Sequence, residues 1–101
     1  MSDLPTITQK IAQKIGDNSG LGKIVKLDFG SDGIILIDGA NVPNSVSNDD
    51  GAADATVQIS IADLMALENG SLDPMMAFMT GKMKVQGDLM AAQKLAPILK
   101  G

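Results

Sequence analysis

The sequence predicts an α+β domain, because segments with helical periodicity stand at both ends of the chain and alternating, strand-like segments lie between them. Apolar residues recur every three to four positions near the N-terminus and again after residue 88. The chain has 101 residues, which is enough for a single domain over residues 1–101 and not for two. A domain of this size can bury one core without disulfides or metals.

The first helix is predicted to begin at Pro5 or Thr6 and to run to about Gly16. Two starts are open, because Thr6 and Gln9 have the spacing of a capping box, while Pro5 suits the first helical position. One side of this helix carries an apolar stripe. The stripe consists of Leu4, Ile7, Ile11 and Ile15.

Alternation of apolar and polar residues predicts strands at Gly22 to Phe29 and at Asp54 to Ser60. The β-branched run Ile34 to Ile37 is typical of a strand that is covered on both faces. A short, irregular strand is expected around Val42–Val46, where Pro43 limits pairing because it has no N–H group.

Ser60–Asp63 has the pattern of a helix start, and Asn69-Gly70 is a good helix end. Asp73-Pro74 then predicts a second short helix, with the aspartate as the cap. This helix, residues 75–79, is apolar almost all round, so we expect other elements to cover it on more than one side.

A fifth strand is predicted at 82–86, with Met83 and Val85 on one face. Gly87-Asp88 leads into the final helix, which has a second apolar stripe. The stripe consists of Leu89, Ala92, Leu95, Ala96 and Leu99.

Three other residues of the final helix carry expectations of their own. Met90 and Ile98 fall outside the stripe and leave further apolar surface to be covered. Pro97 removes a backbone donor and is expected to bend or weaken the last turn. The bent turn could act as a lid.

The composition excludes several classes of function. The absence of histidine and cysteine removes imidazole bases, catalytic relays, zinc sites and disulfides. A net charge of −4 with only two aromatic residues argues against nucleic-acid binding. We find neither a signal peptide nor an apolar run long enough for a membrane span, so a cytoplasmic protein is expected.

No motif predicts catalysis or a cofactor. Asn48-Asp49-Asp50-Gly51 fails the register of a calcium loop. Gly20–Lys23 lacks the third glycine of a dinucleotide loop and the spacing of a phosphate loop. The isolated carboxylates have structural explanations at strand ends and helix starts. These carboxylates are Asp28, Asp38, Asp63 and Asp88. The sequence therefore predicts a protein that is not an enzyme.

Methionine is abundant, and two interpretations of it are open. The methionines could fill gaps in the core, because the flexible thioether side chain suits irregular spaces. They could also line a deformable apolar cavity between the sheet and the helices. The residues concerned are Met65, Met75, Met76, Met79, Met83 and Met90.

Three consecutive segments resemble the sterol carrier protein domain. They are the strand Ala55–Ser60, the glycine turn and apolar helix of Gly70–Met79, and the Gly-Lys strand of Thr80–Asp88. In order, and followed by a Leu-rich helix, they are similar to the second half of that family. The chain as a whole resembles a small, stand-alone, bacterial-type member.

The resemblance implies a five-stranded sheet with helices packed over one face. It also implies a tunnel for apolar lipids such as fatty acids, acyl-CoA esters or phospholipids, with Phe78 and Met79 near it and Leu95 and Leu99 closing it. The lipid-binding residues implied are Leu64, Met65, Met75, Phe78, Met79, Met83, Val85, Leu95 and Leu99.

The partners implied are an apolar lipid and, transiently, a membrane or an enzyme. A monomer or weak homodimer is expected. Some relatives of the family present substrates to lipid-modifying enzymes, so a non-catalytic scaffold or interaction module is the alternative. In that case Met90 and Ile98 would meet the partner, because exposed apolar patches often mark interfaces.

Overall fold

Residues 3–100, which the computed structural model describes (the side chain of Lys100 excepted), form four α-helices and five β-strands. In chain order they are α1 (Leu4–Ile15), β1 (Ile24–Asp28), β2 (Ile34–Asp38), β3 (Ser45–Ser47), β4 (Ala55–Ile59), α2 (Ile61–Asn69), α3 (Pro74–Met79), β5 (Met83–Gly87) and α4 (Leu89–Lys100). The predicted α+β class and the five strands are confirmed.

The strands form one mixed sheet in the order β3-β2-β1-β4-β5. β1 and β4 run parallel at the centre, with Leu27 opposite Val57, while the remaining neighbours are antiparallel. On the other side of β1, Leu27 faces Ile35 of β2. Apolar residues therefore form continuous rows across the sheet, because partners in register point to the same face.

Helices cover the apolar face of the sheet. The predicted stripe of α1 is confirmed, since Ile7, Ile11 and Ile15 are all buried. α4 packs against β1, β4 and β5, and its Leu95 and Leu99 are buried in the core. These helices and the sheet enclose a single cluster of buried apolar side chains.

The opposite face of β2 is covered in part. The prediction that Ile34–Ile37 is covered on both faces holds only partly, because alternate residues of β2 are half-buried. The chain between β3 and β4 crosses this face, where the Asp50 carboxylate lies 2.6 Å from the Lys26 ammonium and Gly51 approaches Leu36. A connecting loop gives this face partial cover.

The first helix begins earlier than the sequence predicts. Leu4 is the first helical residue and Asp3 is the N-cap, with Oδ1 accepting from the Thr6 N–H at 3.0 Å. The capping box of Thr6 and Gln9 is therefore wrong, and Pro5 lies in the first turn rather than at its start. At an N-cap, a carboxylate oxygen can accept a hydrogen bond from an N–H of the first helical turn as well as a hydroxyl oxygen can.

The other helix starts are confirmed. Ser60 caps α2, with its hydroxyl oxygen accepting from the N–H three residues later at 3.0 Å. Asp73 and Asp88 accept from the N–H two residues later, at 3.1 Å and 3.0 Å. Gly70 ends α2 with a φ of 84°, a conformation that favours glycine.

β3 is shorter and lies later than the expected Val42–Val46. Pro43 has no N–H to pair, and the next residue, Asn44, is tied to the loop that follows α1. Its N–H donates to the Asp17 carbonyl at 2.6 Å, and its Oδ1 accepts from the Ser19 N–H at 2.7 Å. Pairing with β2 can begin only after this junction.

α3 has far less cover than its composition suggests. Ala77 is buried, but the side chains around it are exposed, so the prediction of cover on more than one side is wrong. The exposed apolar residues of α3 are Met75, Met76, Phe78 and Met79. α4 continues through Pro97 to its last residue, so the proline does not end that helix. Among residues 3–100, no helix has both the length and the apolar composition to cross a bilayer.

Candidate functional site

A cavity of about 480 Å³ lies between the sheet and α2, α3 and α4. This volume falls within the range of small-molecule sites, about 300–1,000 Å³. The lining residues are Leu27, Val57, Ile59, Leu64, Leu67, Glu68, Pro74, Met75, Phe78, Met83, Val85, Leu89, Ala92, Gln93, Leu95, Ala96 and Leu99. Almost all of them are apolar.

The floor of the cavity comes from the alternation of the strands. In β4 and β5, Val57 pairs with Val85 and Ile59 pairs with Met83 in register, so all four side chains point to the helical face. Leu27 of β1 continues the same row. Their neighbours along each strand point to the opposite face, because strand side chains alternate.

The long wall of the cavity is α4. Its lining residues recur every three or four positions, from Leu89 to Leu99. Ten residues of α-helix span about 15 Å. The cavity therefore extends along most of α4 as an elongated space.

The two ends of this space differ in exposure. Along α4, Leu89 at one end of the cavity is 46% exposed, whereas Leu99 at the other end is buried. Met75 and Phe78 of α3 also line the cavity and are 65% and 48% exposed. We call the exposed lining residues Met75, Phe78 and Leu89 the mouth, and the buried end at Leu99 the closed end.

The polar lining is limited to Glu68 and Gln93. The Glu68 carboxylate lies 3.8 Å from the ammonium of Lys14, and only 17% of its side chain is exposed. Lys14 also donates to the backbone carbonyl of Leu99 at the end of α4. One ammonium group therefore contacts both α2 and α4 beside the closed end.

The predicted binding residues fall into two groups. Seven of them line the cavity: Leu64, Met75, Phe78, Met83, Val85, Leu95 and Leu99. Met65 is half-buried against the core, and Met79 is 73% exposed, so neither belongs to the lining. That the seven contact a lipid stays a prediction.

Sequence reasoning missed ten lining residues. The alternation of apolar and polar residues places Leu27, Val57 and Ile59 on the helical face of the sheet. This alternation would have been enough to predict them as lining residues. The positions of Leu89, Ala92 and Ala96 on the stripe of α4 were equally available. The others depend on how the helices are oriented: Leu67, Glu68, Pro74 and Gln93.

The methionines do not act as one group. Met65 and Met83 pack partly buried against the core, as gap-filling residues do. The interpretation as core filling is wrong for the other four, which are 52–73% exposed. These are Met75, Met76, Met79 and Met90.

The carboxylates considered for catalysis take part in local structure. Asp28 accepts from a turn N–H two residues later at 2.9 Å. The Asn41 side chain donates to Asp38, and this hydrogen bond holds the pKa of the carboxyl below its ordinary value. Asp63 and Asp88 stand at helix N-termini. In the described part of the chain, no three acidic residues come together as a metal site.

The fold is that of known structures. The apo form of sterol carrier protein 2 from Yarrowia lipolytica superposes with a TM-score of 0.69 and 26% identity, over 95% of this chain and 78% of that one. The ubiquinone synthesis protein UbiJ-SCP2 superposes with a TM-score of 0.68 and 19% identity, over 99% and 93% of the two chains. The predicted sterol carrier protein-like fold is thereby confirmed.

The curated sequence relatives are longer proteins, and the match covers only part of each. The chain is 48% identical over 50 residues to mouse peroxisomal multifunctional enzyme type 2, covering 50% of this chain and 7% of that protein. It is 39% identical over 67 residues to rabbit sterol carrier protein 2, covering 65% of this chain and 12% of that protein. The chain thus spans a small fraction of the curated relatives it matches.

A family model matches nearly the whole chain. The matched residues are 10–100, and the family is described as the SCP-2 sterol transfer family. The match begins within α1 and includes the complete sheet and the three helices around the cavity. The chain belongs to the SCP-2 sterol transfer family.

Proposed function

We propose that the protein is a non-catalytic carrier that binds an apolar lipid in the cavity between the sheet and α2–α4. The observation that carries the proposal is an elongated, almost wholly apolar cavity with one exposed end. Membership of a sterol transfer family supports lipid as the ligand class. The lipid-contacting residues are the lining residues, including the seven named above.

The binding mechanism is transfer of apolar surface from water to the cavity. Each Å² of acyl chain removed from water contributes about 25 cal/mol. Met75 at the mouth and Met83 on the floor are flexible, so they can adjust to chains of different shape. No bond is made or broken, which agrees with the local roles of the carboxylates.

The ligand class is an acyl lipid: a fatty acid, an acyl-CoA ester or a phospholipid. We propose that the acyl chain enters first and that the polar group stays at the mouth. The buried apolar side chain of Leu99 at the closed end supports this orientation, because a head group placed there would lose its hydration.

The proposal is tested by native mass spectrometry with added fatty acids of several chain lengths. Ala96 lines the cavity, so Ala96→Trp places a ring in the space of the acyl chain. Ala12→Trp, at an exposed position of α1, is the matched control. We expect a one-to-one adduct that dissociates on denaturation in the wild type and the control, and at least about ten-fold weaker binding in Ala96→Trp.

Absence of uptake by folded wild-type protein, at every chain length, would overturn the carrier proposal. Equal uptake by Ala96→Trp would place the lipid elsewhere. Circular dichroism and thermal unfolding of each variant establish that the compared proteins are folded.

A second candidate is an interaction module for lipid-modifying enzymes. The exposed apolar surface of α3 favours it, because patches of this kind often mark interfaces. A lipid-free protein that shows concentration-dependent association in sedimentation, or that binds such an enzyme, would favour this role over that of a carrier.

A further inference from the structure

The two edge strands of the sheet differ in length and cover. β3 is three residues long and lies against α1. The Asn48 side-chain amide, just after β3, donates to the Thr8 hydroxyl of α1 at 3.0 Å and to the Ile34 carbonyl of β2 at 2.9 Å. β5 is five residues long and, within residues 3–100, pairs with β4 alone. The longer edge of the sheet is therefore the one that lacks a partner.

Backbone groups on the outer side of β5 are left without a hydrogen bond. The N–H of Asp88 donates to the carbonyl of Asp54 at 2.9 Å, which fixes the phase of the antiparallel ladder. Because bonded and non-bonded pairs alternate, the even-numbered residues of β5 turn their N–H and C=O groups toward β4. The same groups of Met83 and Val85 point outward. In the described part of the chain, no loop, helix or side chain accepts from these two N–H groups.

β5 carries few of the features that keep edge strands from pairing. Prolines, bulges and charged side chains commonly protect such edges. The pairing of β5 with β4 is continuous from Met83 to Gly87, so the strand has no bulge, and it contains no proline. Lys84 is the one charged residue in the strand. The backbone of β5 is therefore able to accept a further strand.

An apolar row of the sheet ends at this edge. Leu27 of β1, Val57 of β4 and Val85 of β5 are partners in register, and Val85 is only half-buried. A further strand with an apolar residue opposite Val85 would continue the row. Pairs of β-branched side chains opposite each other stabilise a sheet.

We propose that β5 pairs antiparallel with β5 of a second copy about a two-fold axis at Val85, which joins the two sheets into one. The outward N–H and C=O groups of Val85 then bond to those of Val85 in the second copy, and Met83 lies opposite Gly87. Each copy uses the same surface, as a closed two-fold dimer requires. This pairing does not depend on the carrier function.

The charges at the two ends of β5 favour a second copy and select this register. The strand is basic at its start, with Lys82 and Lys84, and neutral or acidic at its end, with Gln86 and Asp88. Antiparallel pairing about Val85 places Lys84 opposite Gln86 and Lys82 opposite Asp88. The neighbouring register, centred on Lys84, would place two ammonium groups opposite each other, which is destabilising.

The strength of the dimer is tested by changing the charge opposite Lys84. Gln86 is exposed and does not line the cavity. Gln86→Glu creates two pairs of opposite charge across the junction, and Gln86→Lys creates two pairs of like charge. In sedimentation over a range of concentrations, we expect a weak dimer for the wild type. Its dissociation constant should fall about three-fold or more in Gln86→Glu and rise about three-fold or more in Gln86→Lys.

The matched controls are Gln13→Glu and Gln13→Lys, which make the same changes at an exposed position of α1. They should change the dissociation constant far less, and equal shifts would show that only net charge matters and would overturn the proposal. Association that Gln86→Lys leaves unchanged would assign the contact to another surface, such as the exposed side chains of α3. Wild type and Gln86→Glu that both stay monomeric at millimolar concentration would also overturn it.

Disulfide cross-linking tests the register. The chain contains no cysteine, so single thiols can be introduced. Lys84 and Gln86 of the second copy form a non-hydrogen-bonded pair, in which Cα atoms are about 4.5 Å apart, a distance that a disulfide spans. A mixture of Lys84→Cys and Gln86→Cys should cross-link faster than either variant alone. Fastest cross-linking of Lys84→Cys with itself, or equal rates in all samples, would overturn the register.

Fatty-acid uptake by the same proteins separates this proposal from the carrier function. Gln86→Lys should take up fatty acid as the wild type does, because Gln86 does not line the cavity. A dimer with the expected response to the Gln86 variants but without uptake would overturn the carrier function alone. Uptake by a protein that never dimerises would overturn the β5 pairing alone.

Discussion

The ammonium of Lys14 on α1 lies 3.8 Å from the carboxylate of Glu68 on α2. The same ammonium donates to the carbonyl of Leu99, near the end of α4. One side chain therefore connects three helices beside the closed end of the cavity. It also balances the charge of a carboxylate that borders an apolar space.

Lys14→Met should destabilise the protein by about 1–2 kcal/mol, because a charge-assisted hydrogen bond is lost while the apolar part of the side chain is kept. Urea unfolding measures the change in the free energy of unfolding. Lys10→Met, at an exposed position of the same helix, is the control and should change it by less than about 0.5 kcal/mol. Equal effects of the two substitutions would show that the Lys14 contacts contribute nothing to stability.

Ile11→Ala should destabilise the protein by about 2–5 kcal/mol, because Ile11 is completely buried and the substitution leaves a cavity in the core. Val42→Ala, at a position that is 70% exposed, should have little effect. Ile11 does not line the cavity, so fatty-acid uptake by the folded variant should remain. If the folded variant lost fatty-acid uptake, the core around Ile11 and the cavity would not be independent of each other.

Gly87→Ala should be more destabilising than Gly70→Ala, although the two glycines have almost the same φ, 85° and 84°. A Cβ at Gly70 meets no atom within 4 Å, so the cost there is backbone strain alone, about 1–2 kcal/mol. A Cβ at Gly87 would overlap the carbonyl oxygen of Asp54, which must then move. We expect a loss of about 3 kcal/mol or more for Gly87→Ala. The free energy of unfolding is measured by thermal or urea unfolding. Equal losses in the two variants would show that the Asp54 carbonyl moves away from the new Cβ at no cost.

Asn41→Ala should raise the pKa of Asp38 toward its ordinary value of 3.8, because the Asn41 side-chain hydrogen bond is the main cause of its lowering. The pKa of Asp3 is lowered by hydrogen bonds from Thr6 and should not change, so it is an internal control. NMR titration of the carboxyl carbons measures both values. An unchanged pKa of Asp38 in the variant would show that the Asn41 hydrogen bond is not the main cause of the lowering.

The same carboxyl has a predictable effect on acid stability. A pKa that is lower in the folded than in the unfolded protein contributes stability at a pH above 3.8, and this contribution is lost as the pH falls through the folded value. Asn41→Ala should therefore be less sensitive to acid in that window than the wild type, as measured by the urea midpoint at successive pH values. A larger loss of stability on acidification in the variant than in the wild type would contradict the proposed contribution of Asp38 to acid sensitivity.

Local patterns predicted most of the elements. Alternation identified the apolar face of β1 and β4, and the oxygen-bearing side chains of Ser60 and Asp73 marked two helix starts. Such signals suffice because they act over three or four residues. Asp3 was missed as a cap because several neighbouring side chains could satisfy the same N–H groups.

Long-range relationships were harder to predict. Periodicity shows that α3 is apolar, but it does not show that Met79 faces solvent while Met75 borders a cavity. The ion pair of Lys14 with Glu68 joins residues far apart in sequence. Both depend on how helices are placed on the sheet, which tertiary packing decides.

The parallel pairing of β1 with β4 has a consequence for biosynthesis. On the β4 side of β1, Leu27 cannot pair until Val57 has left the ribosome. Leu95 of α4, which belongs to the same buried cluster, is synthesised later still. Such distant pairing slows folding, because a long stretch of chain must be ordered before its contacts form. An emerging chain therefore exposes its central strands through most of translation, and nascent-chain-binding chaperones should recognise it until α4 has been synthesised.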